Sequence, residues 1–296
     1  MKVYITYGDF RFKKQKEFAI KMAKKYGNFD KIISYFPEDI DELFKKKNKD
    51  ILTQKRGGGY WLWKPYFIYK TLQELNYGDY LFYSDSGACF LKSVDILIKE
   101  LEKYNQDIMG YEIGMIESQW TKKELFLYLK MDDVKYSKTN QIMGGFVLCK
   151  KTEETMKFFK EYLEVACNEI NITDKMIEKI NQERDFIEHR HDQSIFSLLY
   201  KKYNLIPFKD PTQFGEFPEG TYLKKYSNYE YGKIYIRNLN LNGLKRRDLK
   251  FRLNKLEGDY ENVLFLYRRK RNPFKELIKY KIRRFFSKFI KINKGM

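Results

Sequence analysis

Short apolar runs rich in β-branched and aromatic residues recur along this chain, and each is separated from the next by a stretch with helical spacing. That alternation restricts the fold more than any other feature. "KVYITYGDF" opens with a β-rich run, Val3 to Tyr7, that stops at Gly8-Asp9. Phe18, Ala19, Met22, Ala23 and Tyr26 then fall on one helical face, and Gly27 is a natural C-terminal stop. "KIISYFP" follows as a second strand. Strand, helix and strand at this spacing predict a βαβ unit and a parallel sheet.

The alternation continues. Pro65 suits the first turn of a helix lined by Ile68, Leu72 and Leu75, and Gly78-Asp79 turns the chain into "YLFYSD". Val94, Leu97, Ile98 and Leu101 mark a helix, "DIMGY" a strand, and "QIMGGFVLCK" a central strand. Thr121 and Glu124 match a capping box, and Met156, Phe159, Leu163 and Ala166 mark a further helix. After about residue 205 the pattern weakens, with "NLIPFKDPTQFG", "GKIYIRN" and "NVLFLYRRK" as the remaining strand candidates. The class is α/β, with a mostly parallel mixed sheet in one domain over residues 1–266.

The net charge of +18 over 296 residues is unevenly spread. From Arg268 to Lys294 there are twelve Lys/Arg and one acid, Glu276. Phe274, Leu277, Ile278, Ile282, Phe285, Phe286, Phe289 and Ile290 form an apolar stripe there with helical period. This predicts a basic amphipathic helix over residues 267–296 that lies on an anionic membrane surface. Nucleic acid is not expected as a partner: there is no helix-turn-helix, RRM signature, KH loop or zinc finger, and the basic excess sits at one end. Cys89, Cys149 and Cys167 are odd in number and form no CxxC, which predicts reduced thiols in the cytoplasm. No signal peptide and no run of about 18 apolar residues is present, so neither a membrane span nor ordinary export is expected.

Three segments carry candidate chemistry. In "GDYLFYSDSGACF" the strand stops at Asp85, and Ser86, Gly87 and Ala88 after it let a bulky ligand approach the backbone. Ligands of open α/β sheets bind at the carboxyl ends of strands, where an aspartate holds a metal that bridges a diphosphate. "RGGGYWLWKPY", Arg56 to Tyr66, sets a Gly-rich loop before a helix, a ready anion site. Lys64 offers a point charge there, and Tyr60, Trp61 or Trp63 a stacking surface. GxxxxGK[ST] and GxGxxG are both absent, which excludes a P-loop and argues against a dinucleotide fold. "IEHRHDQSIFSLLYKKY" holds both histidines, and Asp192 is a natural N-cap. Six polar residues in a row, Glu188 to Gln193, exceed what capping requires and suit a metal ligand, a sugar clamp or a catalytic carboxylate.

The order of these segments over roughly residues 1–215 resembles a GT-A glycosyltransferase, a nucleotide-sugar transferase of bacterial capsule and lipopolysaccharide synthesis. "YWLWKPY…GDYLFYSDSG" resembles a subgroup from those loci, and "HDQSIFSLL" resembles the HDE/DQD-type segment near the donor sugar. The resemblance implies transfer of a sugar from a nucleotide-diphosphate donor to a glycan or lipid-linked glycan, by a cytoplasmic enzyme held at the inner face of the membrane. It implies donor binding by Tyr7, Gly8, Asp9, Arg56, Tyr60, Trp63, Lys64, Asp85, Ser86, Gly87 and Gln193. Asp192 becomes the first candidate for the catalytic carboxylate and Glu117 the second, with Gln119, Trp120 and Lys122 around the acceptor. Two departures stand out. Asp85-Ser86-Gly87 replaces the family's D-x-D, so either Asp85 binds Mn²⁺ or Mg²⁺ with His189 or His191, or the enzyme uses less metal than its relatives. Gln193 stands where HDE-type enzymes carry Glu, which argues against retention through that carboxylate. A sugar nucleotidyltransferase is disfavoured, because "TYGDFRFKK" does not match G-G-x-G-T-R-L.

Overall fold

The computed structural model describes residues 1–216, 252, 254–267 and 272–292. Its centre is a sheet of β1 (Lys2–Tyr7), β2 (Lys31–Tyr35), β3 (Tyr80–Ser84), β5 (Ile108–Met109) and β8 (Phe146–Lys150), in the order β2-β1-β3-β8-β5. β1 runs parallel to β2 and β3, and β8 runs antiparallel to both β3 and β5. The mostly parallel mixed sheet expected from the alternation is what forms.

Both faces of the sheet are covered. Val3, Ile5, Leu81, Tyr83, Val147 and Cys149 enter one core, while Tyr4, Phe82, Phe146 and Leu148 enter another. This is the period of two that a pleated strand imposes. The first core packs under α2 (Trp63–Glu74), α4 (Glu153–Ala166) and α5 (Asp192–Lys202). The second packs on α3 (Asp95–Lys103) through Leu97, Ile98 and Leu101. All three cysteines are free.

Several local expectations change. "QIMGGFVLCK" is two strands: β7 (Asn140–Ile142) pairs with β6 (Glu112–Ile116), and β8 joins the main sheet. Met143–Gly145 separates them, because the chain there passes tightly against the start of α5. A Cβ on Gly144 would sit 3.0 Å from the Gln193 Cβ and 3.2 Å from Asp192 Oδ2. The Thr121–Glu124 capping box is absent: Thr121 donates to Glu117, and Glu124 accepts from the Ile177 amide and Gln182. Phe208 makes only isolated bridges, to Tyr111 and Glu257. The expected strand in residues 232–238 lies outside the described residues.

Two later elements return to the domain. β9 (Leu264–Leu266) pairs antiparallel with β4 (Ala88–Phe90), and α6 (Pro273–Ile292) packs Leu277 and Tyr280 against Phe265, Cys89 and Met22, the last residue of α1 (Lys13–Met22).

Candidate active site

β1 and β3 are parallel, so their carboxyl ends share one edge, and antiparallel β8 starts at that same edge. Tyr7–Asp9, Asp85–Gly87 and Gly144-Gly145 are thereby gathered without any direct sequence link. A cavity of about 390 Å³ opens there, lined by Tyr7, Gly8 and Asp9 after β1 and by Asp85, Ser86 and Gly87 after β3. Gly57, Gly58, Trp61 and Trp63 form a further wall, with Lys55, Arg11, Phe12 and Tyr267 completing it.

The wall from Gly57 to Trp61 has an unusual backbone. All five residues have φ between 52° and 90°, a short left-handed turn. Each L residue in this conformation costs about 1–2 kcal/mol, which explains the run of glycines. A Cβ on Gly59 would lie 2.7 Å from the Leu52 Cα, so this position also needs the missing side chain. The turn leads into α2 and delivers Trp63, which stacks on Tyr7 with centroids 3.8 Å apart and donates its indole N–H to the Gly57 carbonyl at 3.0 Å.

Asp85 projects into the cavity with 42% of its side chain exposed. Its amide donates to the Gly145 carbonyl at 2.8 Å, and the buried Tyr83 hydroxyl donates to its Oδ1. Behind it lies the Lys64 ammonium, fully enclosed: 2.5 Å from Asp192 Oδ2, 2.8 Å from the Gly144 carbonyl and 3.5 Å from Asp85 Oδ1. Burial pulls the Lys64 pKa down, but Asp192 and Asp85 outweigh this and hold it above the ordinary lysine value. Burial pushes Asp192 up to about 6; Lys64 opposes this and the Asp85 charge adds to it. The result is one buried cation bridging two carboxylates of unlike environment, one open to the cavity and one sealed behind it.

Asp192 differs from its expected part. Its side chain does not cap α5 but turns inward to Lys64, and it is not on the cavity wall. Its position depends on His191, whose φ of 52° and ψ of −120° are costly for a residue with a Cβ. Gln193 also points inward, accepting from the Gly144 amide at 3.2 Å and donating to Gln141 at 2.8 Å. Both residues clamp the Gly144 strip from behind. Arg56 and Tyr60 turn away from the cavity and bind Asp174, each at 3.0 Å. Trp61 lines the cavity in their place.

The residues expected around the acceptor are buried and do not line the cavity. Glu117 is fully enclosed and pairs with Lys201 at 2.5 Å, while also accepting from Ser197, Thr121 and Gln141. All of its partners are internal, and it does not line the cavity. Gln119 is buried, and its carbonyl accepts from the Ile187 amide at 2.9 Å. Trp120 is buried beneath Arg190, 4.4 Å from its ring centroid. Lys122 is buried with Nζ 2.7 Å from the carbonyls of Thr173 and Lys175, and burial lowers its pKa to about 8.

Neither histidine of the expected metal set lines the cavity. Both His189 ring nitrogens are engaged, Nε2 with the Asn171 carbonyl at 2.8 Å and Nδ1 with the Lys122 amide at 3.5 Å, and burial holds the ring neutral. His191 donates Nδ1–H to the Ile172 carbonyl at 2.8 Å and lies between Tyr60 and Trp61. Burial, reinforced by Arg56, lowers its pKa to about 4. Among the described residues no three His, Cys, Asp or Glu side chains come together as a metal cage. Two carboxylates lie on the cavity wall: Asp9, which pairs with Arg11, and Asp85, whose Oδ1 faces the Tyr83 hydroxyl and the Lys64 ammonium, so Oδ2 is the oxygen it could offer to a cation of the Mg²⁺ kind.

Sequence reasoning missed Arg11, Phe12, Lys55 and Tyr267 on the wall. Tyr267 comes from beyond β9 and donates its hydroxyl to the carbonyls of Gln15 at 2.9 Å and Ser86 at 3.0 Å. No local signal marks a residue so distant in sequence.

No protein-family model matches the chain, and no curated protein matches it. Among solved structures, the chain is similar to mouse xyloside xylosyltransferase 1 in its apo form, at 8% identity and a TM-score of 0.44 over 90% of this chain and 98% of that one. It is similar to the apo form of the glycosyltransferase GlyE of Streptococcus pneumoniae TIGR4 at 14% identity and a TM-score of 0.37, over 74% of this chain. It is also similar to the bifunctional glycosyltransferase WbbM in its apo form at 9% identity and a TM-score of 0.38, over 67% of this chain. The chain covers 48% of the GlyE chain and 37% of the WbbM chain.

Proposed function

We propose that this protein is a GT-A-type glycosyltransferase that moves a sugar from a nucleotide-diphosphate donor to a growing surface glycan of the capsular or lipopolysaccharide kind, acting in the cytoplasm. The observation that carries the reading is the cavity at the carboxyl ends of β1 and β3, where a stacked aromatic pair, a glycine turn and one exposed carboxylate converge. A flat nucleobase fits against Tyr7 and the tryptophans, with Gly57 and Gly58 giving its backbone side room to approach. Lys55 supplies cationic character to the wall for a diphosphate, while the Arg11 guanidinium on the same wall is paired with Asp9. Asp85 would hold a divalent cation together with the donor phosphates, and such an ion would neutralise charge on the leaving diphosphate. Lys64 and Asp192 act through Asp85. The ammonium fixes the direction of the carboxylate, and Asp192 fixes the ammonium. They are positioning residues, since neither reaches the cavity wall.

Thermal melting with UDP, GDP and CDP, each with and without Mn²⁺, tests the proposal. A rise in Tm for one nucleotide that grows with metal is expected. Asp85→Ala should keep the fold, because the side chain is half-open, and lose the metal-dependent part of that rise. No shift with any nucleotide overturns the reading.

A further inference from the structure

The cavity leaves α6 unused. Leu277 and Tyr280 join this helix to the domain, Tyr280 packing on Phe265 at 5.0 Å between ring centroids. A second apolar row points elsewhere. Phe274 is 60% exposed, Ile278 42%, Ile282 51% and Phe285 60%. At 3.6 residues per turn these four fall within an arc of about 80°, centred about 130° from the midpoint of Leu277 and Tyr280. The helix therefore has two apolar faces, one spent on the domain and one turned to solvent.

We infer that this outward face docks on the surface of an anionic lipid bilayer, with the helix lying in the interface plane. Exposed Lys275 and Lys279 border the row on one side and exposed Lys281 on the other. Cations flanking a central row of Phe and Ile suit a bilayer: the rings enter the acyl boundary while the lysines reach lipid phosphates. A nucleic-acid surface would want the cations at the centre of the face. The one acid in the helix, Glu276, pairs with Lys279 at 3.4 Å, and the sequence from Arg268 to Lys294 carries twelve cationic residues against it. No helix among the described residues is long and apolar enough to cross a membrane, so the contact is with the surface. The inference does not depend on the transferase reading.

Flotation of the full chain with lipid vesicles tests it. Vesicles with roughly 30% phosphatidylglycerol should bind at least about tenfold more protein than pure phosphatidylcholine, with the excess falling as salt rises. Ile278→Glu/Ile282→Glu should lose vesicle binding at low salt while melting at the wild-type temperature, since both side chains are exposed. Lys275→Glu/Lys279→Glu should lose the preference for anionic lipid. Equal or absent binding to the two vesicle types overturns the inference. So does an Ile278→Glu/Ile282→Glu variant that binds like the wild type. Preferential binding to duplex DNA that this variant retains would assign the charge to nucleic acid instead, and also overturns it.

Discussion

Replacing Lys64 with methionine strands two carboxylates. The ammonium is enclosed and holds Asp192 Oδ2 at 2.5 Å, the Gly144 carbonyl at 2.8 Å and Asp85 Oδ1 at 3.5 Å. Removing one member of a buried pair costs about 3–5 kcal/mol, because the partner's charge stays behind without compensation. Asp192 has already climbed to about 6 with the lysine in place, so without it the folded-state pKa rises further. A carboxyl raised in the folded state above its unfolded value of about 3.9 contributes stability below that value and loses it as pH rises through the folded pKa. The deficit of Lys64→Met relative to wild type should therefore be small at pH 5 and reach about 3–5 kcal/mol at pH 8. Urea unfolding followed by tryptophan fluorescence at both pH values measures it. The double variant Lys64→Met/Asp192→Leu removes both charges and should recover most of the loss at pH 8. Equal deficits at the two pH values, or a double variant no better than the single one, would refute the view of this cluster as a desolvated ion pair.

Glu117→Gln should destabilise the chain by about 3–5 kcal/mol through the loss of its buried pairing with Lys201, yet leave nucleotide-induced melting shifts of the folded protein intact. Chemical denaturation alongside ligand melts separates the two effects. Gly59→Ala should cost more than Gly58→Ala: both positions have positive φ, but only the Gly59 Cβ runs into backbone, at Leu52, whereas Gly58 has open room. Comparing the two urea midpoints decides it. Tyr267→Phe removes hydroxyl bonds to two carbonyls and should cost about 1–2 kcal/mol while weakening nucleotide binding, read by denaturation and by titration calorimetry.

The layered architecture is legible because burial on both faces of the sheet forces the strands to be apolar throughout, and Asp85 stands out against that background. Tyr7–Asp9, Trp63 and Asp85–Gly87 meet at the cavity because each ends a strand or opens a helix, and parallel pairing brings such ends together. The failures have one cause. Glu117, Gln119, Trp120 and Lys122 form a polar and aromatic run, and the same composition serves an exposed sugar site or a buried hydrogen-bond network. Only the partners distinguish them, and Ser197 and Lys201 lie some eighty residues downstream of Glu117. The turn of α5 misled in the same way: Asp192 has the identity of an N-cap, but a lysine far upstream claims its carboxylate.

The bond from Tyr267 to the Ser86 carbonyl spans 181 residues. At ribosomal speeds of about 5–20 residues per second, that interval lasts roughly ten seconds or more. Throughout it, the edge strand β4 lacks its partner β9, and the cavity lacks one wall. The sheet can assemble from its local βαβ contacts during this time, but the pocket is finished last, by a long loop closure. The strands of the scaffold thus emerge before the residue that completes the ligand site. Ligand binding and acquisition of the fold should then appear as separable kinetic phases, with binding trailing behind.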